Sequence, residues 1–210
     1  MNAIKINNAI LALTEKRTIK LDLDKEPNYV TVGSPTVKNG VISGFSSTNY
    51  ALIPNVPSNV RSYEMVAKFT TGTLDGEQRG VLGNSATNKC TPQINVYIDN
   101  KIHVNHPQDA DTWVSDSFGN VEANTTYTVK LAWNGSTVIG YYKTVSSDDW
   151  VKFMSKSCST VHWIEQIGIG IDQGEYPFNG SIDLNECYIQ INGNMWWSAT
   201  RDITVCRMVK

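Results

Sequence analysis

The chain has 210 residues, 40% of them hydrophobic, with 18 basic against 20 acidic side chains and a net charge of -2. That length suits one large domain with appendages, which buries about two-thirds to three-quarters of its unfolded surface and needs no disulfide or metal staple. No run of Lys or Arg forms the stripe that binds nucleic acid or an anionic membrane, and no stretch approaches the ~18 apolar residues of a membrane span.

From the start, Met1 to Asn8 lacks a long apolar core followed by a small-residue cleavage site, so no secretory leader is expected. Residues 2–14 read either as a helix, because Ile6, Ile10 and Leu13 fall at i, i+4, i+7, or as an edge strand, or as a contact with a neighbouring subunit. Period-two alternation then takes over. Ile19, Leu21 and Leu23 alternate with Lys20, Asp22 and Asp24, and short strands follow at 29–32, 41–42 and 50–53, punctuated by Gly33-Ser34-Pro35, Asn39-Gly40, Pro54 and Pro57. Residues 62–69 read as a long strand. Residues 93–98 meet 101–105 across Asp99-Asn100 as a hairpin, with Ile94, Val96 and Ile98 on one face and Asn95 and Tyr97 on the other. A polar loop is expected over 106–120. A second hairpin joins 126–133 to 138–143 through Asn134-Gly135-Ser136, and a Ser/Asp-rich turn ends at Trp150. Towards the end, Ile167, Ile169 and Ile171 alternate with glycines, residues 181–184 and 187–191 read as strands, and Asn192-Gly193 turns the chain towards Met195-Trp196-Trp197.

Two phrases in this layout are informative. Tyr127, Leu131, Trp133 and Gly135 fit the spacing Y-x-x-x-L-x-W-x-G, and Phe178-Asn179-Gly180-Ser181-Ile182-Asp183-Leu184 leads to Tyr188-Ile189-Gln190-Ile191-Asn192-Gly193 and the paired tryptophans. The chain thereby resembles concanavalin A-like lectin/glucanase (laminin-G-like) domains, in particular those of bacteriophage structural and tail-fibre proteins, over about residues 60–198. Repeated short strands without helix-length patterns between them point to the same class. The expectation is an all-β, two-sheet antiparallel jelly-roll sandwich over 25–198, with an N-terminal strand or attachment segment at 1–24 and a C-terminal extension at 199–210. Its inward set is expected to include Val66, Ile94, Val96, Val129, Leu131, Trp133, Ile167, Ile169, Ile182, Ile189 and Ile191, with Tyr127 and Trp163 also core.

Chemistry is sparse. Glucanases of this fold present two carboxylates from one strand, ~5–5.5 Å apart for retention or ~6.5–9.5 Å for inversion. The nearest approach here, Asp183 and Glu186, lacks the first Glu and falls on opposite faces of a regular strand; Glu64 stands alone; Asp172 with Glu175 reads as a solvated bend. No Gly-x-Ser-x-Gly elbow exists, and His103, His106 and His162 read as surface or edge-strand histidines. Cys90, Cys158, Cys187 and Cys206 are widely separated without nearby histidines and read as buried thiols rather than a zinc site. Asp109, Asp111 and Asp116 fit no defined calcium loop. No catalytic residue, metal or cofactor is therefore expected.

Saccharide binding asks less of a sequence, because one or two exposed rings with a few amides or carboxylates suffice. With 6 Trp and 9 Tyr the rings are available, and Tyr97, His103, Asn105, Asp111 and Trp113 are the expected carbohydrate-binding residues. The resemblance implies a virion structural protein, a tail or head fibre or a capsid decoration, assembled in the host cytoplasm. Its partners would be other virion proteins and host or environmental glycans, with a homo-oligomer, foremost a trimer, favoured over a monomer. The alternatives are a glycan-binding module or inactive relative of a glycoside hydrolase, and a purely structural packing domain.

Overall fold

A computed structural model describes residues 3–6, 9–12, 22–53, 57, 59–84, 91–162 and 166–205. Ile19, Leu21, Cys90, Trp163 and Cys206 lie outside the described residues. The chain divides into two compact units, Pro27–Thr200 and a smaller one formed by Met1–Glu26 with Arg201–Lys210. In the smaller unit β1 (Ala3–Ile6) and β2 (Ala9–Ala12) pair antiparallel, so the described residues within 2–14 are strand rather than helix. In this pair Ile4 lies opposite Leu11 and Ile6 opposite Ala9, so the i, i+4 spacing of Ile6 and Ile10 has no role. β3 (Asp22–Pro27) pairs with the last strand, β20 (Thr200–Val205).

The larger unit is a sandwich of two antiparallel sheets. Its first strands are β4 (Val30–Val32), β5 (Thr36–Lys38), β6 (Val41–Ser43), β7 (Tyr50–Ile53), β8 (Tyr63–Thr70) and β9 (Arg79–Asn84). The middle of the chain supplies β10 (Gln93–Val96), β11 (Ile102–Pro107), β12 (Trp113–Phe118), β13 (Thr126–Trp133), β14 (Thr137–Thr144) and β15 (Val151–Ser157). The last are β16 (Ile167–Ile169), β17 (Ser181–Asp183), β18 (Tyr188–Ile191) and β19 (Asn194–Ser198), with one turn of 3-10 helix at Leu184–Glu186. One sheet has the order β12-β11-β10-β9-β16-β7-β4; the other runs β15-β14-β13-β8-β17-β6-β5, with β18 also on β8 and β19 on β18.

Turn chemistry fixes the registers. Asn192 and Gly193 both take positive φ, 52° and 79°, as the tight hairpin between β18 and β19 requires. Asn134 Oδ1 accepts from Ser136 N and Thr137 N, closing the β13–β14 hairpin. The inner faces of the two sheets meet in one core containing Met65, Phe69, Ile94, Val96, Val129, Leu131, Trp133, Ile167, Ile169, Ile182, Ile189 and Ile191. Each such large side chain, fully buried, contributes about 1.5–3 kcal/mol. Tyr127 is core as well. Val66 is a correction: it is buried but lies in the other phase of β8, beside Glu64 and Lys68, opposite Lys130 and Tyr188. The inward phase there is Tyr63, Met65, Ala67 and Phe69. Ile98 is a second correction, because β10 ends at Val96; Tyr97 N donates to Lys101 O, and the turn leaves Ile98 58% exposed.

Candidate functional site

The seven-stranded sheet has chemically opposite faces at its centre. In β10, Ile94 and Val96 enter the core while Gln93 and Asn95 point outward; in β11, Ile102 and Val104 enter the core while His103 and Asn105 point outward. The register sets Gln93 opposite Asn105 and Asn95 opposite His103. Four polar side chains thus form a patch about 7 Å along the strands and about 5 Å across them.

A loop after β16 folds back over one side of this patch. Gly170 N donates to Val81 O, Gly80 N to Tyr176 O and Phe178 N to Gly170 O, and the Phe178 ring enters the core edge-on to Phe69 at 5.6 Å. Close approach requires the glycines of β9. A Cβ at Gly80 would collide with the Asp172 backbone, and one at Gly83 would stand 2.9 Å from Asp172 Oδ1. A bulge that leaves Val81 unopposed, with Leu82 facing Ile94 and Gly80 facing Asn95, turns both glycines to the loop.

The loop thereby delivers Asp172 to the patch, 0% exposed. Its Oδ1 accepts from Asn84 N (3.1 Å) and Gln93 Nε2 (3.1 Å), and its Oδ2 from Gln78 Nε2 (2.6 Å) and Asn95 Nδ2 (3.1 Å). No ion pair reaches it among the described residues. Desolvation pushes its pKa up to about 6, against the pull of these donors. The solvated bend expected at Asp172 is therefore corrected: the residue is the buried hub of an amide network. Gly80, Gly83 and the out-of-phase Gln93 and Asn95 were the sequence signal for it.

The expected binding residues divide. Tyr97 and His103 come together with ring centroids 4.7 Å apart, and His103 Nε2 lies 3.1 Å from Asp99 Oδ1. Asn105 lies on the same face, its Nδ2 donating to Gln93 Oε1 at 3.0 Å. Trp113 extends that face to the sheet edge: it opens β12 opposite Pro107, in phase with Ser115 opposite Asn105 and Ser117 opposite His103. Asp111 is not brought to the face; it sits exposed in the turn before β12, its N bonded to Asp109 Oδ1.

The polar loop expected over 106–120 is corrected to a strand, β12, between two turns. Phe118 and Val114 pack on the core, while Asp116 in that same inward phase and Trp113 in the outward one break the alternation that would have marked the strand. His106 is a further correction, being 0% exposed. Its Nε2 donates to Thr160 O and its Nδ1 accepts from Tyr63 Oη at 2.7 Å, so burial holds a neutral imidazole in the core. Asp109 spends its oxygens on Asp111 N, Thr112 N and Thr112 Oγ1, and Asp116 pairs with Lys156 at 3.2 Å.

No protein-family model matches the chain, and no curated protein matches it. Solved structures do. The enzymatically active domain of tailspike protein 2 from bacteriophage CBA120 superposes with a TM-score of 0.56 at 12% identity, over 90% of this chain and 33% of that one. A structure concerning the dependence of botulinum neurotoxin type C cell entry on two ganglioside molecules gives 0.54 at 12%, over 90% and 47%. Domains of the mouse laminin alpha1 chain give 0.51 at 12%, over 94% and 53%. The chain thus spans about half or less of the length of these proteins. At such identities the likeness carries the fold alone, and that fold is the two-sheet antiparallel sandwich of the laminin-G and concanavalin A-like lectin type.

Proposed function

We propose that this chain is a non-catalytic glycan-binding domain of a bacteriophage virion structural protein, a tail or head fibre or a capsid decoration, and that its saccharide lies on the outer face of the seven-stranded sheet. The observation that carries this reading is the outward row of Trp113, Asn105 and His103 on paired strands, in phase with one another and outside the core, with the Tyr97 ring, from the turn after β10, set against His103. Rigid strands hold rings for stacking and amides for hydroxyl groups at the spacing of sugar rings. The ligand class is supported by the fold shared with a protein described by its interaction with gangliosides, and the phage setting by the fold shared with a tailspike domain. The phrase running from Phe178 to Trp197 supports the phage setting as well.

The placement of the carboxylates on the strands supports the non-catalytic reading. The strands of this sheet carry one carboxylate, Asp116, which lies in the inward phase and pairs with Lys156. Asp172 is sealed under its loop with both oxygens engaged. Glycoside hydrolysis needs two carboxyl groups that reach opposite sides of the same bond.

The test is binding of the whole chain to an array of phage-host surface oligosaccharides, repeated with Trp113→Ala. Loss of a stacking ring is expected to weaken binding by about 1–3 kcal/mol, roughly 5- to 150-fold. Unchanged affinity with an intact fold would remove Trp113 and this face from the reading, and steady release of reducing sugar would overturn the non-catalytic assignment.

A further inference from the structure

The amide network beneath the proposed binding face has a direction. Asp172, ionised, only accepts, so the group that each neighbouring amide turns to it must be an NH2. Gln93 Nε2 faces Asp172 Oδ1, which leaves Gln93 Oε1 facing β11. That oxygen accepts from Asn105 Nδ2, so the Asn105 amide is also turned one way, with its Nδ2 committed inward and its Oδ1 left on the outer face. Asn95 is turned by the same rule: its Nδ2 donates to Asp172 Oδ2 and Gln93 Oε1, and its own Oδ1 is buried without a partner.

We propose that Asp172 is a positioning residue for ligand recognition, acting through Gln93 to make Asn105 present a carbonyl oxygen rather than an NH2. The proposal rests on the glycan reading and assigns it a ligand class. At Asn105 the site takes a hydrogen-bond donor, the hydroxyl of a neutral sugar, and discriminates against a sulfate or carboxylate, which only accepts. Asn84 N, being backbone, cannot turn round, so it keeps an oxygen at the Oδ1 position even in Asp172→Asn. The relay therefore survives that substitution and is lost in Asp172→Ala, which removes the acceptor, and in Gln93→Met, which keeps the volume and removes the amide.

Two measurements on the whole chain test it. The first is side-chain amide NMR of the unliganded protein, with the Asn105 resonances assigned by their loss in Asn105→Ala. The inward-bonded Asn105 NH2 is expected to exchange slowly with water, to speed up in Gln93→Met and Asp172→Ala, and to be rescued in Asp172→Asn. The second is binding of neutral oligosaccharides and their sulfated counterparts. Gln93→Met should weaken the neutral ligands by about 3- to 10-fold and narrow the neutral-over-sulfated preference, as expected for one directed hydrogen bond. Asn105 exchange indifferent to Gln93→Met overturns the relay, whatever the protein binds. Amides that respond in a protein that binds neither ligand set overturn the glycan reading and the specificity assigned with it. Wild-type preference for the sulfated set overturns the specificity alone.

Discussion

Asp172 is a carboxylate held in the folded protein by amides, with no ion pair among the described residues, and this has a measurable consequence for stability. Its pKa rises from 3.8 to about 6 through burial, so between these values the folded chain binds more of this proton than the unfolded chain does. The sign follows: the contribution of Asp172 is most favourable below pH ~4 and is lost as pH rises through ~6, where the buried charge costs on the order of 3 kcal/mol. Asp172→Asn removes the titrating group and keeps most of the shape. Urea unfolding at pH 4 and pH 7.5 should show the variant gaining on the wild type by roughly 1–3 kcal/mol at the higher pH, measured as the change in their stability difference. A difference that stays constant with pH would mean that Asp172 ionises as freely in the folded state as in water.

At the scale of elements, the site exists because β9 lets the loop at 170–177 come against it. Gly80→Ala places a methyl group against the Asp172 backbone, so strand and loop must separate. The expected loss is about 1–3 kcal/mol, the usual range for overpacking, and the variant should also lose Asn105 amide protection because its hub is displaced. Full stability in calorimetry with unchanged amide spectra would show that the loop is not held there. The same contrast explains what was legible in the sequence. The β10–β11 and β13–β14 hairpins were readable because each strand buries one face and shows the other, giving clean alternation between local turn signals. β12 was not, since an edge strand with Ser115, Asp116 and Ser117 in sequence has no such pattern. β9 drew no strand assignment, because its two glycines interrupt the apolar pattern. Of the binding face, Tyr97 and His103 followed from the phase of the first hairpin, whereas Trp113 was singled out as a ring in an expected polar loop that is in fact strand β12. Asp172 did not, because its partners Gln78, Gln93 and Asn95 lie 77 to 94 residues away, and only the folded topology brings them together.

At the scale of the whole molecule, the chain divides into the sandwich and a smaller unit formed by its two ends. Among the residues whose burial is described, the core draws on positions from Ile42 to Ala199. Yet the smaller unit's sequence is rich in apolar residues, among them Ile4, Ile6, Ile10, Leu11, Leu13, Val205, Met208 and Val209. Apolar terminal segments without a role are rare on soluble surfaces, and a partner chain is the natural cover for them. A symmetric homo-oligomer would bury such segments once per copy and close strand edges against open-ended pairing. We therefore propose that the ends assemble the protein, with a trimer as the expected state. Deleting residues 1–14 removes the β1–β2 hairpin and leaves every core residue of the sandwich in place. The truncated chain should keep the melting behaviour of its sandwich and sediment as a monomer, where the full chain at micromolar concentration sediments as a trimer. Its affinity for a single glycan site should be unchanged, but its avidity on a dense glycan surface should fall by about 100-fold or more, since multivalent attachment is lost. A full-length chain that is itself monomeric at that concentration, or a truncated chain that still trimerises, would place assembly elsewhere in the molecule.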